Sequence, residues 1–168
     1  MTLRWAWTAP TGRLQITEAA PKEKIEAVKG PLTDQEYYDF VFERSISESA
    51  TDVVELPEDW IPPDVDRSFR NAWKLNIDKV EVDLVKARDI FRERMRSARA
   101  PLLKQLDTDY LRADENVDVL EKQRIASEKQ TLRNITSMPE IDAVKDVTEL
   151  RNVWPAVLGE NPYSRIRS

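Results

Sequence analysis

Histidine and cysteine are absent from this chain, and glycine occurs only three times, at Gly12, Gly30 and Gly159. Without cysteine there is no disulfide, no thiolate nucleophile and no thiolate-bound metal, and nothing points to an oxidising compartment. Histidine is the usual general base near neutral pH and the commonest metal ligand, so its absence removes the hydrolytic triads. With both types gone, structural zinc is excluded as well. The glycines are isolated, so no phosphate-cradling loop is present. Carboxylates remain, but Asp64/Asp66, Asp107/Asp109 and Asp114/Glu115 lack the glycine-bearing loop and ligand spacing of a calcium site and read as solvated charge. Long apolar runs are missing too: nothing approaches the ~20 residues needed to cross a bilayer. The opening MTLRWAWTAP has no apolar stretch of the kind a secretory leader needs. The expectation is a non-enzymatic protein without cofactor or metal, made in the cytoplasm and not inserted in a membrane.

What is present is charge, unevenly spread. Of the 168 residues, 34% are charged and 40% apolar, enough for one domain with a core or for a small lobe plus a helical one. Residues 1–83 have a net charge of −7, residues 84–134 of +3 and residues 135–168 of −1. A nucleic-acid binder is normally basic overall, whereas here a single helical stretch is basic within an acidic chain. Nucleic acid is therefore the less favoured partner; a protein partner, or docking of the basic helix on acidic parts of the chain itself, is favoured.

The basic stretch, Asp83 to Ala113, organises the rest. Leu84, Ala87, Phe91, Met95, Ala98, Leu102, Leu106 and Tyr110 recur at steps of three and four, which places them on one helical face. Asp83 is suited to cap it, and Pro101 predicts a kink or two helices in tandem. Before it, Leu3, Trp5 and Trp7 alternate, TAPTG supplies a turn, and Leu14 and Ile16 alternate again, as in a hairpin. PKEKIEAVKGP reads as a connector, with room for a turn of helix. Thr33 and Glu36 form a capping-box pattern for a helix whose face is Tyr37, Phe40, Val41 and Arg44. Val53, Val54 and Leu56 suggest a short strand. LPEDWIPPDVD reads as an extended, proline-stiffened linker. Trp73 and Leu75, then Val80 and Val82, flank a turn at 76–79, a second hairpin feeding the long helix. A second helix over 117–135, with Val117, Leu120, Ile125, Leu132 and Ile135 as its apolar stripe, folds back on the first. Short helical pieces follow Pro139 and Asp146, and the chain closes in a tail.

The fold class expected is thus α+β: a small β-rich N-terminal lobe with one helix (1–56), a linker (57–65), a β-hairpin followed by a long kinked helix packed antiparallel on a second helix (66–154), and a tail (155–168). Arg88, Arg92, Arg96 and Arg99 lie at steps of four, four and three, a stripe about 16 Å long at ~1.5 Å rise per residue. Three readings stay open: a solvated face with Asp89 and Glu93 as local partners, a guanidinium ladder for a partner protein's carboxylates or, least favoured, one for nucleic-acid phosphates. Trp60, among acids and prolines, and Trp154, beside Pro155, either pack on the chain's own surface or anchor another subunit.

DRSFRNAWKL at 66–75, VEVDLVKARDIFRERMRSARAPLLKQLDTDYLRADE at 80–115 and EKQTLRNIT at 128–136 resemble, in that order, a group of small proteins of tailed bacteriophages. The closing LRNIT…LRNVWP is similar to the end of phage tail-fibre assembly proteins, which act as chaperones for fibre tips. The resemblance covers residues 52–154 and hardly touches 1–50. It implies a virion or virion-assembly role in the phage tail, with a fibre, baseplate or other tail protein as partner; self-association into a homo-oligomer stays open beside it and does not follow from the resemblance. Arg88, Arg92, Arg96, Arg99, Trp60 and Trp154 are then the candidate partner-binding residues. An assembly chaperone that leaves the finished particle is the alternative.

Overall fold

The computed structural model describes residues 3–64, 67–77 and 79–164; Asp66, named above, and residue 78 of the expected turn lie outside them. The fold is α+β, and the chain divides into two compact units, Met1–Asp83 and Leu84–Ser168.

Alternation builds the first unit. Strands β1 (Arg4–Thr8), β2 (Leu14–Glu18) and β3 (Thr51–Glu55) form an antiparallel sheet in the order β2-β1-β3. Successive side chains of β1 point to opposite faces, and both faces are covered. On one, Leu3 and Trp5 pack with Ala19, Tyr37 and Val41 under helix α2 (Asp34–Ser45). On the other, Ala6 joins Leu14, Leu56, Trp73 and Val80, the last two from the antiparallel hairpin of β4 (Trp73–Asn76) and β5 (Lys79–Val82). Trp7 shares the Trp5 face but is only half-buried, its indole N–H donating to Thr17 Oγ1 at 3.0 Å. The segment expected as a connector is a full helix, α1 (Lys22–Lys29), held by Lys22 with Glu26 and Asp34 and closed by Gly30 at φ 91°. The capping box of α2 forms as its pattern predicts, Thr33 Oγ1 accepting from Glu36 N–H and Glu36 from Thr33 N–H.

Three expected boundaries move. The second hairpin belongs to the first unit, because Trp73 and Val80 complete the core over Ala6. Residues 57–64 are no open linker: Trp60 packs on that core and the Asp64 carboxylate is buried, accepting from the Phe69 N–H at 2.5 Å. Residues 155–163 are no tail, since Leu158 and Tyr163 are buried.

In the second unit, α3 (Leu84–Glu115) runs as one helix through Pro101 rather than as two in tandem. It packs antiparallel on α4 (Val119–Asn134), the pairs Asp107–Lys129 and Asp114–Lys122 fixing the register. Of the predicted α4 stripe, Ile125, Leu132 and Ile135 are buried, whereas Val117 and Leu120 are exposed at the turn between the helices. Helices α5 (Pro139–Ala143) and α6 (Val147–Asn152) follow, the latter capped by Asp146, which accepts from Thr148 and Glu149 N–H. They cover the first half of α3, where Ala87, Phe91 and Met95 are fully buried; Leu102, Leu106 and Tyr110, further along the same face, are only half-buried. No helix of the described residues is long and apolar enough to cross a membrane.

Candidate functional site

The last carbonyls of a helix have no partner within it and carry the negative end of its dipole, so they attract cationic donors. That need decides the fate of the arginine stripe on α3. Arg99 donates to Leu132 O at 3.1 Å and Arg133 O at 2.8 Å, in the last turn of α4. Arg92 donates to Thr136 O at 3.2 Å and to Asp142 Oδ1 at 2.6 Å. Arg88 reaches Asp142 O and Val144 O, both at 2.8 Å. The expectation of a ladder facing a partner is therefore corrected for these three, which tie the end of α4 and α5 to α3. Arg96 is directed otherwise: it pairs with Glu93 at 2.9 Å and remains about half exposed.

The two tryptophans singled out as anchors also pack on their own units. Trp154 lies edge-on to Phe91 at 5.7 Å and to Tyr163 at 6.2 Å, and Tyr163 stacks on Phe91 at 5.8 Å. Trp60 lies edge-on to Trp73 at 6.2 Å, with the Arg4 guanidinium 5.8 Å from its ring centre. Aromatic pairs prefer this edge-to-face geometry, and each ring buries large area for two torsions. Of the six residues, the four arginines and Trp154 lie in one unit and Trp60 in the other.

What sequence periodicity missed is an asymmetry between the two seams of the α3–α4 hairpin. One seam is sealed by charge. Lys129 bonds Asp107 at 2.5 Å and Lys122 bonds Asp114, and both ammonium groups lie over the Tyr110 ring, 5.2 and 5.4 Å from its centre. The hydrogen bond to Asp114 raises the pKa of Lys122 above its ordinary value. The other seam opens into a groove of about 420 Å3 floored by Leu102, Leu106, Leu132 and Val157. Its rim is Gln105, Ser127, Thr131 and Glu128, the last held by Arg124. Leu102, Leu106 and Leu132 are in the predicted stripes, but Val157 falls where a tail was expected, so the groove could not be read from the pattern.

Asp107 and Asp114, two of the carboxylates considered as cation ligands, are engaged by lysines, and Asp64 by backbone. No protein-family model, curated protein sequence or solved structure matches this chain.

Proposed function

We propose that the chain is a non-enzymatic, tail-associated structural protein of a tailed bacteriophage, binding a fibre, baseplate or other tail polypeptide through the open seam of its helical hairpin. The ordered motifs of residues 66–136 are what suggest the phage context. The observation that carries the binding role is the contrast of seams. A two-helix hairpin closed by ion pairs on one side, with leucines half-uncovered on the other, has no third layer over its distal half among the described residues of its own unit. An amphipathic helix of a neighbouring tail protein, laying apolar residues along Leu102 and Leu106, supplies it.

Co-expression with neighbouring tail proteins tests the reading. The chain is expected to co-purify with one of them, and Gln105→Arg with Thr131→Arg, which place charge on the exposed rim without touching the core, are expected to abolish this. Retention by the double variant overturns the role of the seam. Mass spectrometry of purified virions then separates the two fates: stoichiometric peptides mark a structural component, and their absence an assembly chaperone, the reading favoured by the LRNVWP close.

A further inference from the structure

Residues 1–83 have a net charge of −7, yet three of the five arginines among them meet at one cavity. It encloses about 280 Å3 and is walled by Arg4, Glu18, Trp60, Arg67, Arg70 and Trp73. Arg4 has its counter-charge: its Nε and Nη2 atoms lie 3.2 and 2.8 Å from Glu18 Oε2. Arg67 and Arg70 are exposed and make no side-chain hydrogen bond or ion pair among the described residues. Their backbone is nonetheless fixed. Arg67 N–H donates to Asp64 O at 2.8 Å, Arg70 N–H to Arg67 O at 3.1 Å, and the buried Asp64 carboxylate holds the N–H of the fully buried Phe69 between them. Trp73, 5% exposed, forms an aromatic wall beside Trp60. Among the described residues, three guanidinium groups and one carboxylate line this aromatic-walled cavity, two of the three on a turn held by backbone hydrogen bonds.

We infer that this cavity binds a carboxylate of a partner polypeptide, an acidic side chain flanked by apolar residues. The planar forks of Arg67 and Arg70 match a carboxylate in two-point geometry, and the Trp60 face takes the apolar neighbours. Glu18 decides against more highly charged ligands. Its carboxylate stands in the same cavity within an acidic unit, so a phosphate dianion or a nucleic-acid backbone meets repulsion that a single carboxylate meets less. The inference concerns a unit that does not contain the helical seam, so either reading can fail alone.

The test is calorimetric titration of the full chain with a blocked pentapeptide carrying one glutamate between two leucines, beside its glutamine counterpart. The glutamate peptide is expected to bind, and the glutamine form about tenfold more weakly, as for loss of a charged hydrogen-bond pair. Arg67→Gln with Arg70→Gln, both exposed and without partners to lose, is expected to weaken binding at least as much while leaving the circular dichroism unchanged. Glu18→Gln, which removes the competing carboxylate, is expected to tighten it. A peptide whose only carboxylate is its C-terminus shows whether a chain end serves as well as a side chain. Equal binding of the glutamate and glutamine peptides, no binding of either, indifference to the double arginine variant, or tighter binding of inorganic phosphate or oligothymidylate overturns the inference.

Discussion

At the C-terminus of α3 the backbone turns left-handed on a valine. Asp118 N–H donates to Ala113 O at 2.8 Å and Val117 N–H to Asp114 O at 3.0 Å, the paired bonds of a Schellman closure, with Val117 at φ 57°. Glycine is usual there because a Cβ crowds the carbonyl in this region, most of all when the side chain is β-branched. Ile77, in the turn between β4 and β5, has the same conflict at φ 58°. Both side chains are exposed, 79% and 90%, so little packing compensates the strain. Val117→Gly and Ile77→Asn are each expected to stabilise the protein by about 1 kcal/mol, the scale of the left-handed penalty. Urea-midpoint shifts at unchanged slope are the measure. Ala126→Gly, inside α4 and exposed, is the control and is expected to destabilise.

Among the elements, α2 shows how a local signal becomes a pH-dependent one. Its capping box gives Glu36 Oε2 two donors, Thr33 N–H and Thr33 Oγ1, both at 2.8 Å. These bonds, the backbone one foremost, hold the Glu36 carboxyl below its ordinary pKa of 4.5. A carboxyl depressed on folding contributes stability above its unfolded pKa and loses that contribution as pH falls through the folded value. Glu36→Gln is therefore expected to be less stable than the parent at pH 7, with the difference closing in titrations below about pH 4. A gap that persists at the lowest pH would assign the effect to the amide's geometry instead of the charge. Thr33→Ala, which removes the cap itself, is expected to cost about 1 kcal/mol across the same range. The rims of α4 carry the opposite sign: the raised pKa of Lys122 keeps the Asp114 latch intact until well into alkali.

For the molecule as a whole, what could be read from the sequence is what neighbours in sequence decide. The capping box of α2, the hairpins, the face Ala87–Phe91–Met95 and the Asp146 cap all rest on spacings of two to four residues, and all are present. Where Arg88, Arg92 and Arg99 point depends on where the last carbonyls of α4 and α5 arrive, some thirty to fifty residues later. The cavity of Arg4, Arg67 and Arg70 depends on a strand and a distant turn meeting, and Val157 joins the groove only because Leu158 and Tyr163 are buried. The unit boundary differs from the expected one for a related reason: prolines suggest a linker, but burial of Trp73 and Val80 beside Ala6 decides which unit the hairpin completes. This partition is testable. Each unit has its own buried set, Trp5, Phe69 and Trp73 in one and Phe91, Met95, Ile125 and Leu150 in the other. Chains of about 85 residues bury near 60% of their extended surface, enough for marginal independent stability. Fragments 1–83 and 83–168, the second begun at Asp83 to retain the residue before α3, are each expected to unfold cooperatively, with mixed and strongly helical circular dichroism respectively. A fragment cut instead at residue 65, the boundary the prolines suggest, strips the hairpin from the Ala6 core, and 1–65 is expected to show no cooperative transition. Cooperative unfolding of 1–65 with failure of 1–83 would return the boundary to the prolines.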